Sequence, residues 1–175
     1  MESDKHRGVR IRGLQKPDLH QNPEQRDEHR VCCIYAFIRC YSLTSVTIPD
    51  SVTSIECEAF SWCTCLTSIT IPDSVTSMRG NPFPACKYLT TIKVSPDHPV
   101  FATIDGVLFN KKDKCLVCYP AASTASTYTI PDGIRMIGSA AFCWNGILTC
   151  VRIPDSVTRI EDYAFYGCEW LSCAA

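Results

Sequence analysis

From Leu66 the chain alternates apolar and polar positions, Leu66-Thr-Ser-Ile69-Thr-Ile71, which is the period of a half-buried strand. Ile69 and Ile71 share one face; Ser68 and Thr70 share the other. Pro72 ends the run because it has no N–H to give to a ladder, and Asp73-Ser74 supplies turn chemistry. Val75 and Met78 return to the core, and a short segment then brings in Phe83 and Cys86. That segment is too short for a full helix and predicts a 3-10 or single helical turn. The same order recurs over Leu43–Cys63 and Leu148–Cys168. Matching positions lie 23 residues apart: Leu43, Leu66 and Leu89; Phe37, Phe60 and Phe83; Cys40, Cys63 and Cys86. A fixed period of this length marks a solenoid. One copy cannot bury its apolar face alone, so copies stack with strands paired in parallel at ~4.8 Å per coil. Each side chain then sits on its counterpart. Phe37, Phe60 and Phe83 are predicted to form an aromatic ladder, continued by Phe142 and Phe165.

The period breaks between Lys93 and Thr127. Pro72 and Pro131 are 59 residues apart, so one coil, about 95–127, is 13 residues longer than a single repeat allows. Asp105-Gly106 signals a turn there. Val107–Phe109 and Cys115–Tyr119 are apolar runs flanking Asn110-Lys-Lys-Asp-Lys114, which predicts a β-hairpin whose charged tip blunts its exposure. Residues 1–31 show no apolar periodicity and mix both signs of charge; they read as a disordered or loosely attached polar arm. The array takes residues 32–175.

The copies L-T-S-[VI]-T-I-P-D-S-V-T-S-I followed by A-F-x-x-C resemble the BspA-type leucine-rich repeat, and DGVLFNKKDKCLVCYPA resembles the hairpin cassette of that family. The resemblance covers residues 36–171. It implies a repeat solenoid: a right-handed leucine-rich-repeat coil with a parallel β-sheet on one face, short 3-10 or helical turns on the other, and one inserted β-hairpin. It also implies a non-enzymatic binding module of the surface-antigen and adhesin kind, which recognises a protein or a cell surface. Two departures stand out. Pro82 replaces the alanine found at Ala59 and Ala164, which predicts a distorted turn, and Asn145 replaces the ladder cysteine near Phe142.

Charge narrows the partners. Seventeen basic and 18 acidic residues leave a net charge of −1, with no electrostatic pull toward nucleic acid or an anionic membrane. No apolar run reaches the ~18 residues that span a bilayer. The first 30 residues carry no apolar core of a secretory signal, and the sequence assigns no compartment. Thirteen cysteines are many, but Cys40, Cys63, Cys86 and Cys168 share one repeat position. They read as buried, reduced thiols acting as small hydrophobes, since parallel Cβ vectors on stacked coils are poorly aimed for bonding.

The leading candidate surface is the outward strand face: Ser45, Thr47, Ser68, Thr70, Thr91, Lys93, Thr127, Thr129 and Arg152, with Cys150 beside the last. Repeat arrays bind partners on such extended faces, so a protein is the expected partner and a glycan the second class. Asp50, Asp73, Asp132 and Asp155 recur after the strands; each is expected to accept an amide bond in its own turn, because Ca²⁺ needs six or more oxygens. Cys115 and Cys118 form a lone CxxC whose members should face opposite sides of a strand, which does not suit zinc. His98 has no partner cysteine in view for a dyad. The sequence therefore assigns no catalytic residue, metal or cofactor. The other readings are a truncated or decayed array without independent function, a cysteine-dependent metal or redox protein, and end-to-end self-association of an array without recognisable caps.

Overall fold

The structure, a computed structural model, describes residues 9–10, 33–34 and 37–174. The strands in chain order are β1 Val9–Arg10, β2 Cys33–Ile34, β3 Val46–Thr47, β4 Ser54–Ile55, β5 Ser68–Ile71, β6 Ser77–Met78, β7 Thr91–Val94, β8 Phe101–Ile104, β9 Val107–Asn110, β10 Cys115–Cys118, β11 Thr127–Thr129, β12 Met136–Ile137, β13 Cys150–Arg152, β14 Arg159–Ile160 and β15 Cys173–Ala174. They wind into a β-solenoid of about five turns, with no helix among the described residues. The pairing is parallel at the repeat spacing: Ser68 opposes Thr91, Ile69 opposes Ile92, and Thr127 opposes Cys150. Two strand columns run along the coil. One holds β1-β3-β5-β7 and, separately, β11-β13-β15; the other holds β2-β4-β6 and, separately, β10-β12-β14. β1 lies on the β3 edge; the rest of the arm expected over residues 1–31 lies outside the described residues.

The turn side is built differently from the sequence expectation. Ala59 N–H bonds Glu56 C=O, Ser61 bonds Glu58, and Cys63 bonds Phe60, so each coil turns through successive three-residue closures. Glu58 (φ 64) and Trp62 (φ 62) are left-handed, and such residues interrupt any helical run. Ala140 and Trp144 repeat them, as do Tyr163 and Gly167. In the Pro82 coil the first left-handed position moves back to Gly80 (φ 105), because a residue preceding proline is pushed to the extended region. Asn81 then mends the turn. Its Oδ1 accepts the Phe83 N–H (2.8 Å) and its Nδ2 donates to Ala140 C=O (2.8 Å). The predicted distortion shrinks to ring tilt: Phe60 and Phe83 stack at 5.5 Å and 23°, against 5.3 Å and 7° for Phe37 and Phe60.

The aromatic ladder resumes in the later coils, with Phe142 on Phe165 at 5.0 Å. Tyr119, which the period did not assign to the ladder, stacks on Phe142 at 5.1 Å. The ladder cysteines are thiol donors as well as hydrophobes. Cys63, Cys86 and Cys168 each donate to the carbonyl of the ladder Phe one coil back, Phe37, Phe60 and Phe142, at 3.0 Å. Asn145 uses its Oδ1 to hold Leu148 N–H (2.8 Å), and its buried Nδ2 has no partner.

The predicted hairpin is present as β9-β10, antiparallel, with its charged tip exposed. Its strands, however, are not exposed. β8 adds a third antiparallel strand, and every residue of β9 and β10 is buried. Leu108, Cys115 and Val117 pack into the core of the earlier coils, whereas Val107, Phe109 and Leu116 pack into the core of the later ones. The insert is a wall between two half-cores. A register shift between Leu116 and Cys118 also corrects the reading of the CxxC pair. The irregularity turns Cys118 to the same core as Cys115 rather than to the opposite face, as a bulge re-aims a side chain.

Candidate functional site

The strand face carries the sequence-predicted residues in two blocks. In the first, Thr47 opposes Thr70, Thr70 opposes Lys93, and Ser68 opposes Thr91, with Ser45 just before β3. In the second, Thr129 opposes Arg152 and Thr127 opposes Cys150. β7 and β11 do not pair, because the chain between them is spent on the wall. The continuous row expected from the period is therefore divided. Ser45, Thr47, Thr70, Lys93, Thr127, Thr129 and Arg152 are exposed; Ser68 and Thr91 are partly so. Their alternating neighbours Ile69, Ile71, Ile92 and Val151 are buried, and that burial holds the outward set in place.

At the far end of the first block the face opens into a groove of about 570 Å³. Thr70 and Lys93 line one side, Asp50, Asp73, Ser74 and Ser95 the other. The turn closures that shape it are backbone bonds, Val52 N–H to Pro49 C=O and Val75 N–H to Pro72 C=O, both 3.0 Å. The proline, not the aspartate, thus supplies the turn acceptor, so Asp50 and Asp73 stand exposed beside the groove instead of capping their own amides. The Ser74 hydroxyl is buried at its oxygen and has no partner. Sequence reasoning weighed these aspartates only as turn or cation groups. The signal that could have placed them was their spacing, three residues beyond the outward threonines of the strand column.

The groove can offer a cation, two carboxylates and several hydroxyls to an extended polar partner. The chemistry of a nucleophile is lacking nearby. His98 is fully buried, and both ring nitrogens serve the backbone: Nδ1 accepts from Val100 (3.1 Å) and Phe101 (3.0 Å), and Nε2 meets Pro72 C=O (3.1 Å). It pins the entry to β8 against the groove's floor. Burial pushes the thiols up, Cys63 and Cys143 to about 11, Cys86 and Cys115 to about 12. Neutral thiols are poor nucleophiles and poor metal ligands.

In-register coils, each carrying a strand and a turn that leaves a Phe and a thiol in the core, define a leucine-rich repeat protein. The chain belongs to the BspA type leucine rich repeat region family, with six copies spanning residues 33–171. Among solved structures, it is similar to a leucine rich cell surface protein from Faecalibacterium prausnitzii at 40% identity and TM-score 0.69, over 77% of this chain and 36% of that one. The pneumococcal vaccine antigen PcpA (24% identity, TM-score 0.64, 77% of this chain and 40% of that one) shares the fold. So does a leucine-rich repeat protein from Eubacterium ventriosum (23%, 0.59, 78% and 51%). This chain thus spans about a third to a half of the length of these structures. No curated protein matches it.

Proposed function

We propose that the chain is a non-enzymatic binding module that recognises a protein, on a cell surface or presented by one, through the first block of the strand face. One observation carries this reading. A partly enclosed groove at the end of that block gathers Lys93, Asp50, Asp73 and an unpartnered Ser74 hydroxyl beside the threonine rows. Buried orphan hydroxyls are costly and are relieved when a ligand supplies the missing partner. Its likeness to a cell surface protein at 40% identity supports an extracellular setting, and repeat arrays of this type are used for interaction rather than catalysis. A glycan is the second class of ligand for the same hydroxyls.

The test is binding of the purified chain to two panels, extracellular-matrix and cell-surface proteins on one and arrayed glycans on the other. The reading expects saturable binding to a protein, weakened about tenfold or more by Lys93→Glu or Asp73→Lys, a loss of ~1.4 kcal/mol or more. Binding confined to the glycan panel would move the assignment to the second class. Binding untouched by these variants but lost on Tyr163→Ala or Trp170→Ala, on the turn side, would refute the strand face.

End-to-end self-association is a separate proposal. It is favoured by the exposed Ile160, Tyr163, Tyr166 and Trp170 of the last described coil, where β14 and β15 each pair on one edge only among the described strands. Sedimentation at rising concentration tests it. Growth beyond the monomer, suppressed by Ile160→Lys, is the expected result; a monomer throughout would contradict it.

A further inference from the structure

The outward column of the strand face runs Ser45, Ser68, Thr91 and Thr127 as hydroxyls, then changes to thiols at Cys150 and Cys173. These two are direct partners on the parallel strands β13 and β15. Cys150 is partly exposed and Cys173 exposed. In this they differ from the ladder thiols, which are turned inward onto carbonyl oxygens at 3.0 Å, and from Cys115 and Cys118, which are buried in the wall. Parallel neighbours ~4.8 Å apart fall inside the Cα range of disulfides, ~4.4–6.8 Å. The Cβ atoms must still approach, and β15 can allow it. It pairs with β13 over only Cys150–Cys173 and Val151–Ala174, helped by Ser172 and Cys173 N–H bonds to Thr149 C=O at 3.0 and 3.3 Å. An edge strand so lightly held can shift without breaking a second ladder.

We propose that Cys150 and Cys173 are a redox modification site, a solvent-facing dithiol that closes reversibly to a cross-strand disulfide and pins β15 to the array. The co-reactant is a low-molecular-weight disulfide of the glutathione class. One Cys thiolate attacks it, forming a mixed disulfide and releasing one small thiolate. The second Cys thiolate attacks the protein sulfur of that mixed disulfide, forming the Cys150–Cys173 bond and releasing the other. The two Cys protons pass to the two leaving thiolates. The protein dithiol is thus oxidised by two electrons and the small disulfide reduced to two thiols. Cys150 is raised above the ordinary thiol range, first by its hydrogen bond with Cys173 and then by desolvation, while Arg152, two residues along on the same face, favours the thiolate. The guanidinium is therefore placed to assist the attack.

The experiment exposes the full chain to graded ratios of oxidised and reduced glutathione, alkylates the remaining thiols and maps them by mass spectrometry. The expected result is that Cys150 and Cys173 lose their alkylation together and appear as one linked peptide pair while Cys63 and Cys86 remain reduced. Cys173→Ser should leave Cys150 as a stable mixed disulfide with glutathione. The oxidised chain should melt about 5 °C or more above the reduced chain, and Cys150→Ser/Cys173→Ser should abolish that difference. Independent titration of the two cysteines, each ending as a glutathione adduct, would overturn the site. A linked pair with an unchanged melting point would overturn the pinning.

Discussion

Phe60 shows how one residue type serves the repeat. Its ring is fully buried and stacks on Phe37 and on Phe83, at 5.3 and 5.5 Å. Phe60→Ala removes two stacking contacts and leaves a cavity between fixed coils, so it should cost about 3–5 kcal/mol of unfolding free energy, read by urea titration. Gly167 serves by having no side chain: at φ 73, a Cβ there would meet the Trp144 ring at 2.8 Å. Gly167→Ala should cost about 1–3 kcal/mol and change the Trp emission on the turn side. The buried thiols give a pH signature. Cys86 and Cys115 are raised from 9.0 to about 12, foremost by burial. The unfolded chain gives up these protons above about pH 9 while the folded chain keeps them, so stability is complete below that pH and falls as pH rises toward about 12. The slope is up to about 1.4 kcal/mol per pH unit per thiol. Urea midpoints at about pH 8 and about pH 10.5 should show the fall, and Cys86→Ala should lessen it by one thiol's share. At this scale the ladder was legible because identical residues recur at one spacing. Tyr119 was not, because it sits beyond the insert where the count of 23 no longer applies.

The wall formed by β8, β9 and β10 is the element on which the rest is divided. The apolar runs Val107–Phe109 and Cys115–Tyr119 flanking a charged tip were enough to predict two antiparallel strands. That both faces of β9 and β10 are buried was not legible, since it depends on where the insert lands between two stacked half-cores rather than on its own pattern. Nor was the Leu116–Cys118 irregularity, which follows from matching this hairpin to the neighbouring coils. The strand-face site was legible in its residues and not in its division, for the same reason: the wall takes the chain that would have joined β7 to β11. Leu116 has no exposed surface. Leu116→Ala should cost about 2–5 kcal/mol, whereas Lys112→Glu at the exposed tip should stay within about 0.5 kcal/mol. Thermal melts of the two variants separate a wall from a surface hairpin, which would be nearly indifferent to both.

The whole molecule is a stack in which stability depends on neighbours. The middle coils have neighbours on both sides; β14 and β15 have one each among the described strands. Native-state hydrogen exchange should therefore be slowest at Leu108, Leu116 and Ile69, and fastest at Ile160 and Cys173. The binding face inherits this order, since Thr70 and Lys93 lie on the well-supported β5 and β7 and the dithiol lies on the loosely held edge. The account rests on coils lying in register on both sides of the wall. Ring-to-ring proton cross-relaxation in the folded chain measures this most directly. Trp62 and Trp144 are far apart in sequence and have ring centroids 5.5 Å apart, and Tyr119 and Phe142 lie at 5.1 Å. Cross-peaks for both pairs, together with Phe37–Phe60 and Phe60–Phe83, are the predicted result. A spectrum with the two Phe pairs but neither Trp62–Trp144 nor Tyr119–Phe142 would contradict a single stack continued across the insert.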